Sequence, residues 1–294
     1  MLREYAVDPS VVYSDLNVLQ RFLTDFHAEN GRVVSAIPKN WFAEQRKAVN
    51  AMGLQPMAKR NVLDTITKIN NASLISGYTI PKAINSWVDQ ALHVKGQTEI
   101  NGIMSSVYCA ENQIFDYGDL LVNYPNDWIM GQSISVPRTA DDLSNTIERS
   151  LILATTVIYV DPYFSAADNA FVKPLMAFIS KMQQGRCKSI TIHTTNRALE
   201  KAGHRRNLEE ILKPLLPTGF KVKLFMWQQQ QMHDRYILTK NVGYSFGHGL
   251  DEAAYAAALK VNIERLAESA RDLQFKYFSQ KDDVNDDVIS IVGE

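Results

Sequence analysis

The stretch Met232–Glu252, MHDRYILTKNVGYSFGHGLDE, decides how the second half of the chain is read. Just before it, Lys221–Trp227 (KVKLFMW) reads as a buried strand. His233–Thr239 reads as another, because Tyr236, Ile237, Leu238 and Thr239 are aromatic, β-branched or apolar. Side chains alternate along a strand, so His233, Arg235, Ile237 and Thr239 are expected on one face and Asp234, Tyr236 and Leu238 on the other. Apolar bulk on both faces suits a central strand covered from both sides. A His and an Arg side by side at the rim of such a sheet are placed to meet an anion. Gly243, Gly247 and Gly249 follow, a backbone able to turn tightly and approach a ligand.

The spacing of these residues resembles the phospholipase D superfamily signature, H-x-K-x4-D-x6-G-S-x-x-N. His233 takes the nucleophile position, Arg235 stands for the Lys, and Gly247 matches the Gly. Lys240 replaces the Asp, His248 the Ser and Asp251 the Asn. The string is similar again to a degenerate form of that fold, the phospholipase-D-like domain that follows the MIT module in membrane-trafficking proteins. Its HDR…G-R-G-L-D is mirrored by His233-Asp234-Arg235 and Gly247-His248-Gly249-Leu250-Asp251. The H-x-[KR] core also occurs at His93-Val94-Lys95 and His204-Arg205-Arg206, so the strand context and the Gly-x-Gly-Leu-Asp carry the specificity. The resemblance covers Val136 to Asp251.

Two functions follow from the resemblance. One is a phosphate-recognising binding or assembly component with a degenerate site, of the kind seen in prokaryotic mobile-element or phage-defence systems. The other is a metal-independent phosphodiesterase or nuclease in which His233 attacks phosphorus. Arg235, His248 and Asp251 would then complete the catalytic set, and Gly247 and Gly249 would shape the anion site. Catalytic members of the superfamily pair two such motifs, so a single motif implies a homodimer. Neither function implies a cofactor or a metal. Against chemistry, Asp251 brings a carboxylate to a position where a phosphate would sit. In the structural alternative Asp251 pairs with Arg235 and ties the Gly loop to the strand.

Strands and helices alternate around this stretch. Asp141–Leu153 reads as a helix, Thr155–Val160 as a strand, Ala167–Met182 as a helix, Ser189–Thr194 as a strand and Asn207–Leu216 as a helix. That order predicts a mainly parallel α/β sheet with its sites at the strands' carboxyl ends. Asp161, ending the first of these strands, could orient a His or cap the next helix. Past Asp251, Ala256, Leu259, Ile263, Leu266, Ala270, Leu273 and Tyr277 fall at spacings of three and four, which predicts a long helix. An acidic tail (Asp282, Asp283, Asp286, Asp287) and VISIV, able to join a sheet edge, follow it.

Upstream, apolar residues at 3/4 spacing predict helices over Leu16–Phe26, Trp41–Met52, Met57–Ile69 and Pro81–Val94, with Arg32–Ile37 a strand. The chain is therefore expected to be α/β in two domains: residues 1–131 mostly helical, and 132–294 a phospholipase-D-like α/β domain with a C-terminal helix and acidic tail. At 294 residues each domain has length enough for its own core. The 46% hydrophobic and 21% charged content is that of a globular protein, and a net charge of −1 excludes a generic polyanion binder. Lys181–Lys223, however, holds ten basic residues against three acidic ones, +7. With Arg197, His204, Arg205 and Arg206 in or beside one loop, it is a candidate patch for nucleic acid, another phosphate-bearing ligand or a partner protein. The six His and two Cys show no metal-site spacing. No apolar run is long enough to span a membrane, and Met1–Ser10 lacks an apolar signal core, so a cytoplasmic location is expected.

Overall fold

The computed structural model describes every residue except 121, 123–127, 197–199, 255–258 and 281–287. The backbone divides into two compact units, Leu2–Met130 and Gly131–Glu294, the latter with Met1. Both are α/β.

The first unit runs β1 (Arg3–Val7), α1 (Pro9–Val12), α2 (Leu16–Asp25), β2 (Arg32–Ser35), α3 (Trp41–Ala51), α4 (Pro56–Ala72), β3 (Leu74–Ile75), α5 (Trp87–Gln97), β4 (Gly102–Ser105), β5 (Ile114–Asp116) and α6 (Tyr117–Leu120). Its strands form one parallel sheet in the order β3-β2-β1-β4-β5. Helices outweigh the strands, but the strands are a continuous central sheet rather than scattered pieces. Alternation explains how it is covered on both faces. Tyr5 and Val7 pack with Phe22, Trp41, Val49 and Ile66 of α2, α3 and α4. Ala6 packs on the other side with Ala91 and Val94 of α5. That helix starts at Trp87, capped by the Ser86 hydroxyl, and not at Pro81 as its sequence predicts.

The second unit runs β6 (Ser133–Pro137), α7 (Ala140–Thr146), α8 (Glu148–Leu153), β7 (Val157–Val160), α9 (Asn169–Gln183), β8 (Ser189–Thr195), α10 (Lys201–Asn207), β9 (Lys221–Trp227), β10 (Tyr236–Thr239), β11 (Gly243–Phe246), β12 (Lys260–Arg265), α11 (Glu268–Ser279) and β13 (Ile289–Val292). One eight-stranded sheet orders them β13-β9-β8-β7-β10-β11-β12-β6. β7, β8 and β9 are parallel, but the other five neighbouring pairs are antiparallel, so the sheet is mixed rather than mainly parallel as its sequence predicts. All four residues of β7 are buried, as a strand covered on both faces requires. Tyr159 meets Phe178 of α9 on one face. Ile158 and Val160 join Leu238, Trp227 and Phe278 on the face covered by α11. VISIV adds to the sheet as β13, on the edge of β9.

The long C-terminal helix is the main correction. Lys260–Arg265 (KVNIER) is a strand, and α11 spans only Glu268–Ser279. Val261, Ile263 and Arg265 are buried and alternate with exposed Lys260, Asn262 and Glu264. That two-residue period fits a strand paired with β11 on one side and β6 on the other, and non-local pairing overrides the helical spacing. Leu273 and Tyr277 of the expected seam are exposed, and Ala256 lies outside the described residues. The helix expected over Asn207–Leu216 instead starts at Lys201 and widens into a π turn over Leu208–Leu212.

The two secondary structures predict different mutant stabilities. Ile263 is fully buried, so Ile263→Ala costs about 2–5 kcal/mol. Leu273→Ala, at a 66% exposed position, stays within about 0.5 kcal/mol. Urea unfolding of both variants checks this; equal losses would restore the helical seam.

Candidate functional site

β10 is antiparallel to β7, with Tyr236 opposite Val160, so the start of β10 lies at the carboxyl end of β7. Two segments meet there: the Asp161-Pro162-Tyr163-Phe164 turn after β7 and the Gly247–Asp251 loop after β11. Asp161 joins them. One carboxylate oxygen accepts the Tyr163 N–H at 2.9 Å, and the other accepts the Leu250 N–H at 3.2 Å. The Asp161 N–H is itself held by His193 O at 3.0 Å. Thr194 and Thr195 of β8 donate their hydroxyls to Phe164 O and Pro162 O. Asp161 is not the cap of α9, a role filled by Asp168.

Asp161 is 1% exposed, and burial pushes its carboxyl up to about 6. The two N–H donors and the positive charge of Arg235 oppose that shift, and the negative charge of Asp251 adds to it. Burial likewise raises the Tyr159 hydroxyl, with the charges of Asp161 and Asp251 acting in the same direction.

Met232 is buried against Trp227 and Phe278, which pins the segment leading into β10. His233 and Asp234 then face solvent, and Tyr236 donates its hydroxyl to Asp234 at 2.9 Å. His233 and Arg235 therefore precede the strand rather than belonging to it. The Arg235 guanidinium lies over the Tyr163 ring, 5.0 Å from its centroid. Its Nε–H is buried without a hydrogen-bond partner among the described residues, and its Nη1–H reaches His233 O only at a long 3.4 Å. Among the described residues no carboxylate forms an ion pair with it. Phe246 N–H donates to Arg235 O at 3.0 Å, so the β10–β11 register (Tyr236 opposite Ser245) continues one step outward. His233 and His248 are both exposed.

Asp251 does not pair with Arg235. Its partner is Arg138, which makes a short ion pair with Oδ1 and donates from Nε to Asp251 O at 3.0 Å. Sequence reasoning missed Arg138 because it lies 113 positions away, at the end of β6. Gly249 has φ +131°, and a Cβ there would collide with the Asp251 carboxylate and lie 3.3 Å from Arg138 Nη2. Only glycine fits that turn. At Gly247 an added Cβ would meet nothing closer than Asn262 O at 3.7 Å, so the residue acts through its N–H, which donates to Asn262 O. Next to this loop Glu252 accepts Lys173 Nζ at 2.9 Å and the Ala140 N–H at 3.3 Å, and the Lys173 bond lowers its pKa.

Two lysines of the basic cluster are already paired with carboxylates. Lys181 pairs with Glu148 at 2.6 Å, and Lys213 with Glu294. Arg205 and Arg206 are exposed on α10, whereas His204 beside them is fully buried, and burial lowers its pKa. A fully buried His204 is removed from any surface anion site. Arg197 lies outside the described residues. Among the described residues no group of three or more His, Cys, Asp or Glu could hold a metal ion, and no helix is long and apolar enough to cross a membrane.

No protein-family model matches the chain, and no curated protein matches it. Among solved structures it is similar to TrmBL2, an archaeal chromatin protein whose structure shows a mode of DNA binding. That likeness spans 82% of this chain and 81% of the other at 10% identity, with a TM-score of 0.29. At that level it bears on neither the fold nor the function here.

Asp161 makes stability depend on pH in a defined direction. Its folded pKa is raised from 3.8 to about 6, so the folded state binds the proton more tightly than the unfolded chain does. The resulting stability is present in full below about 4 and is lost as pH rises through about 6. Relative to Asp161→Asn, which cannot titrate, the wild type loses on the order of 3 kcal/mol across that window. Denaturant unfolding of both proteins from pH 4 to pH 7 measures the difference, and a constant difference would remove the buried carboxyl from the account.

Proposed function

We propose that this rim binds a phosphate-bearing ligand and that the second unit is a recognition component rather than an enzyme. Arg235 carries the reading. A guanidinium whose inner edge is buried, which stacks on Tyr163 and which has no carboxylate partner among the described residues, is set to receive an anion. His233, two residues before it, and His248, two residues past its backbone partner Phe246, are exposed. The carboxylate that would repel phosphate at this place, Asp251, is neutralised by Arg138. The resemblance to the degenerate phospholipase-D-like domain agrees with this reading.

Catalysis by His233 has less support. A nucleophilic imidazole is held in position by a neighbouring acceptor or donor. The buried carboxylate nearest the rim, Asp161, uses both its oxygens on backbone N–H groups instead. Among the described residues the His233 ring has no hydrogen bond.

Calorimetric titration with inorganic phosphate, against chloride at matched ionic strength, tests the reading. Wild type should bind, and Arg235→Ala should bind about 10- to 100-fold more weakly, the loss of one or two charged hydrogen bonds. Unchanged phosphate binding in Arg235→Ala would overturn the site. EDTA-resistant cleavage of a phosphodiester that disappears in His233→Ala would overturn the non-catalytic reading and restore the enzyme.

A further inference from the structure

The rim that carries Arg235 continues across the sheet to a second opening. The carboxyl ends of β8 and β9 surround a cavity of about 340 Å³. Phe225, Met226 and Trp227 wall it, and Asn196, Lys201 and Gln228 edge it, with Glu200 beside them. Its size falls in the ~300–1,000 Å³ range of small-molecule pockets, and its lining mixes the edges of three apolar side chains with four polar or charged residues. The cavity shares the level of the Asp161 turn: Val160 pairs with His193, His193 with Phe225, and Thr195 donates to Pro162 O. Trp227 is fixed, because its Nε1–H donates to His193 Nδ1 at 2.9 Å and its ring lies 5.3 Å from that of Tyr277. The apolar wall therefore exists before any ligand arrives.

The polar edge argues for what enters. The side-chain amides of exposed Asn196 and Gln228 each offer a donor and an acceptor, the complement of the polar edge of a heterocycle. Glu200 and Lys201 together leave that edge without net charge, which an uncharged ring tolerates. From β10 to β9 the sheet takes three strand spacings, about 14 Å. That span exceeds the reach of one nucleotide from base to phosphate, and a few linked nucleotides cover it. In a duplex the base edges are already paired.

Resting on the reading of Arg235 as a phosphate ligand, we infer that the cavity at the ends of β8 and β9 is a base-binding subsite for single-stranded nucleic acid. One phosphate of the strand sits on Arg235, and a nearby base enters the cavity between the Asn196 and Gln228 amides.

Fluorescence anisotropy on the full chain tests this with three probes: a short labelled DNA single strand, the same strand made abasic, and its duplex. The base-bearing single strand should bind about tenfold more tightly than the abasic strand, and the duplex should bind no better than the abasic one. Asn196→Ala and Gln228→Ala, both at exposed positions, should erase that tenfold preference and leave abasic binding unchanged. Arg235→Ala should weaken both single strands. Equal binding of base-bearing and abasic strands, still sensitive to Arg235, would overturn the cavity and leave the rim intact. Binding that prefers bases but ignores Arg235 would overturn the rim on which the inference rests. Circular dichroism of each variant separates misfolding from lost contacts.

Discussion

A single buried carboxylate holds together the two segments from which the rim is made. Asp161 sits at the end of a strand covered on both faces, where leaving an ionised group is costly unless its oxygens are satisfied. Two backbone N–H groups satisfy them, one from its own turn and one from a loop 89 residues later. Burial still wins, because the carboxyl is pushed up to about 6 despite both bonds and the positive charge of Arg235. Asp161 therefore balances near neutrality, and the loop carrying His248 and Asp251 is fastened to the sheet by a group that titrates.

That fastening decides what Arg235 can do. With the Gly247–Asp251 loop drawn onto Asp161, Asp251 falls within reach of Arg138 and is used there. Arg235 is left stacked on Tyr163, close enough to Asp161 to lower its pKa but in no ion pair among the described residues. A cation in that position is stabilised by stacking and by long-range attraction while its outer edge remains available. Two opposite charges within pairing distance would instead have closed the site.

The parallel strands were legible because runs such as VIYV and KVKLFMW are β-branched, apolar or strictly alternating and lie between clear helices. The α/β class followed from that alternation. What was not legible is non-local. Lys260–Arg265 carries both a helical and a two-residue apolar period, and only its neighbours β11 and β6 choose between them. The partners of Asp161 and Asp251 lie 89 and 113 positions away, so Arg138 could not be paired with Asp251 from spacing. In the first unit, strands as short as Leu74–Ile75 give little signal alone and exist because a parallel sheet forms around them. His204 was misread as surface because its neighbours Arg205 and Arg206 are; one helical face buries it and the next exposes them.

Amide hydrogen exchange tests the central claim most directly. If the Asp161 carboxylate clasps both segments, the Tyr163 and Leu250 amides are protected in the wild type well beyond their exposed neighbours. Asp161→Ala should release both together while the β10 amides of Ile237 and Leu238 stay protected. A Leu250 amide that exchanges as fast as an open loop in the wild type, or that keeps its protection in Asp161→Ala, would contradict the account.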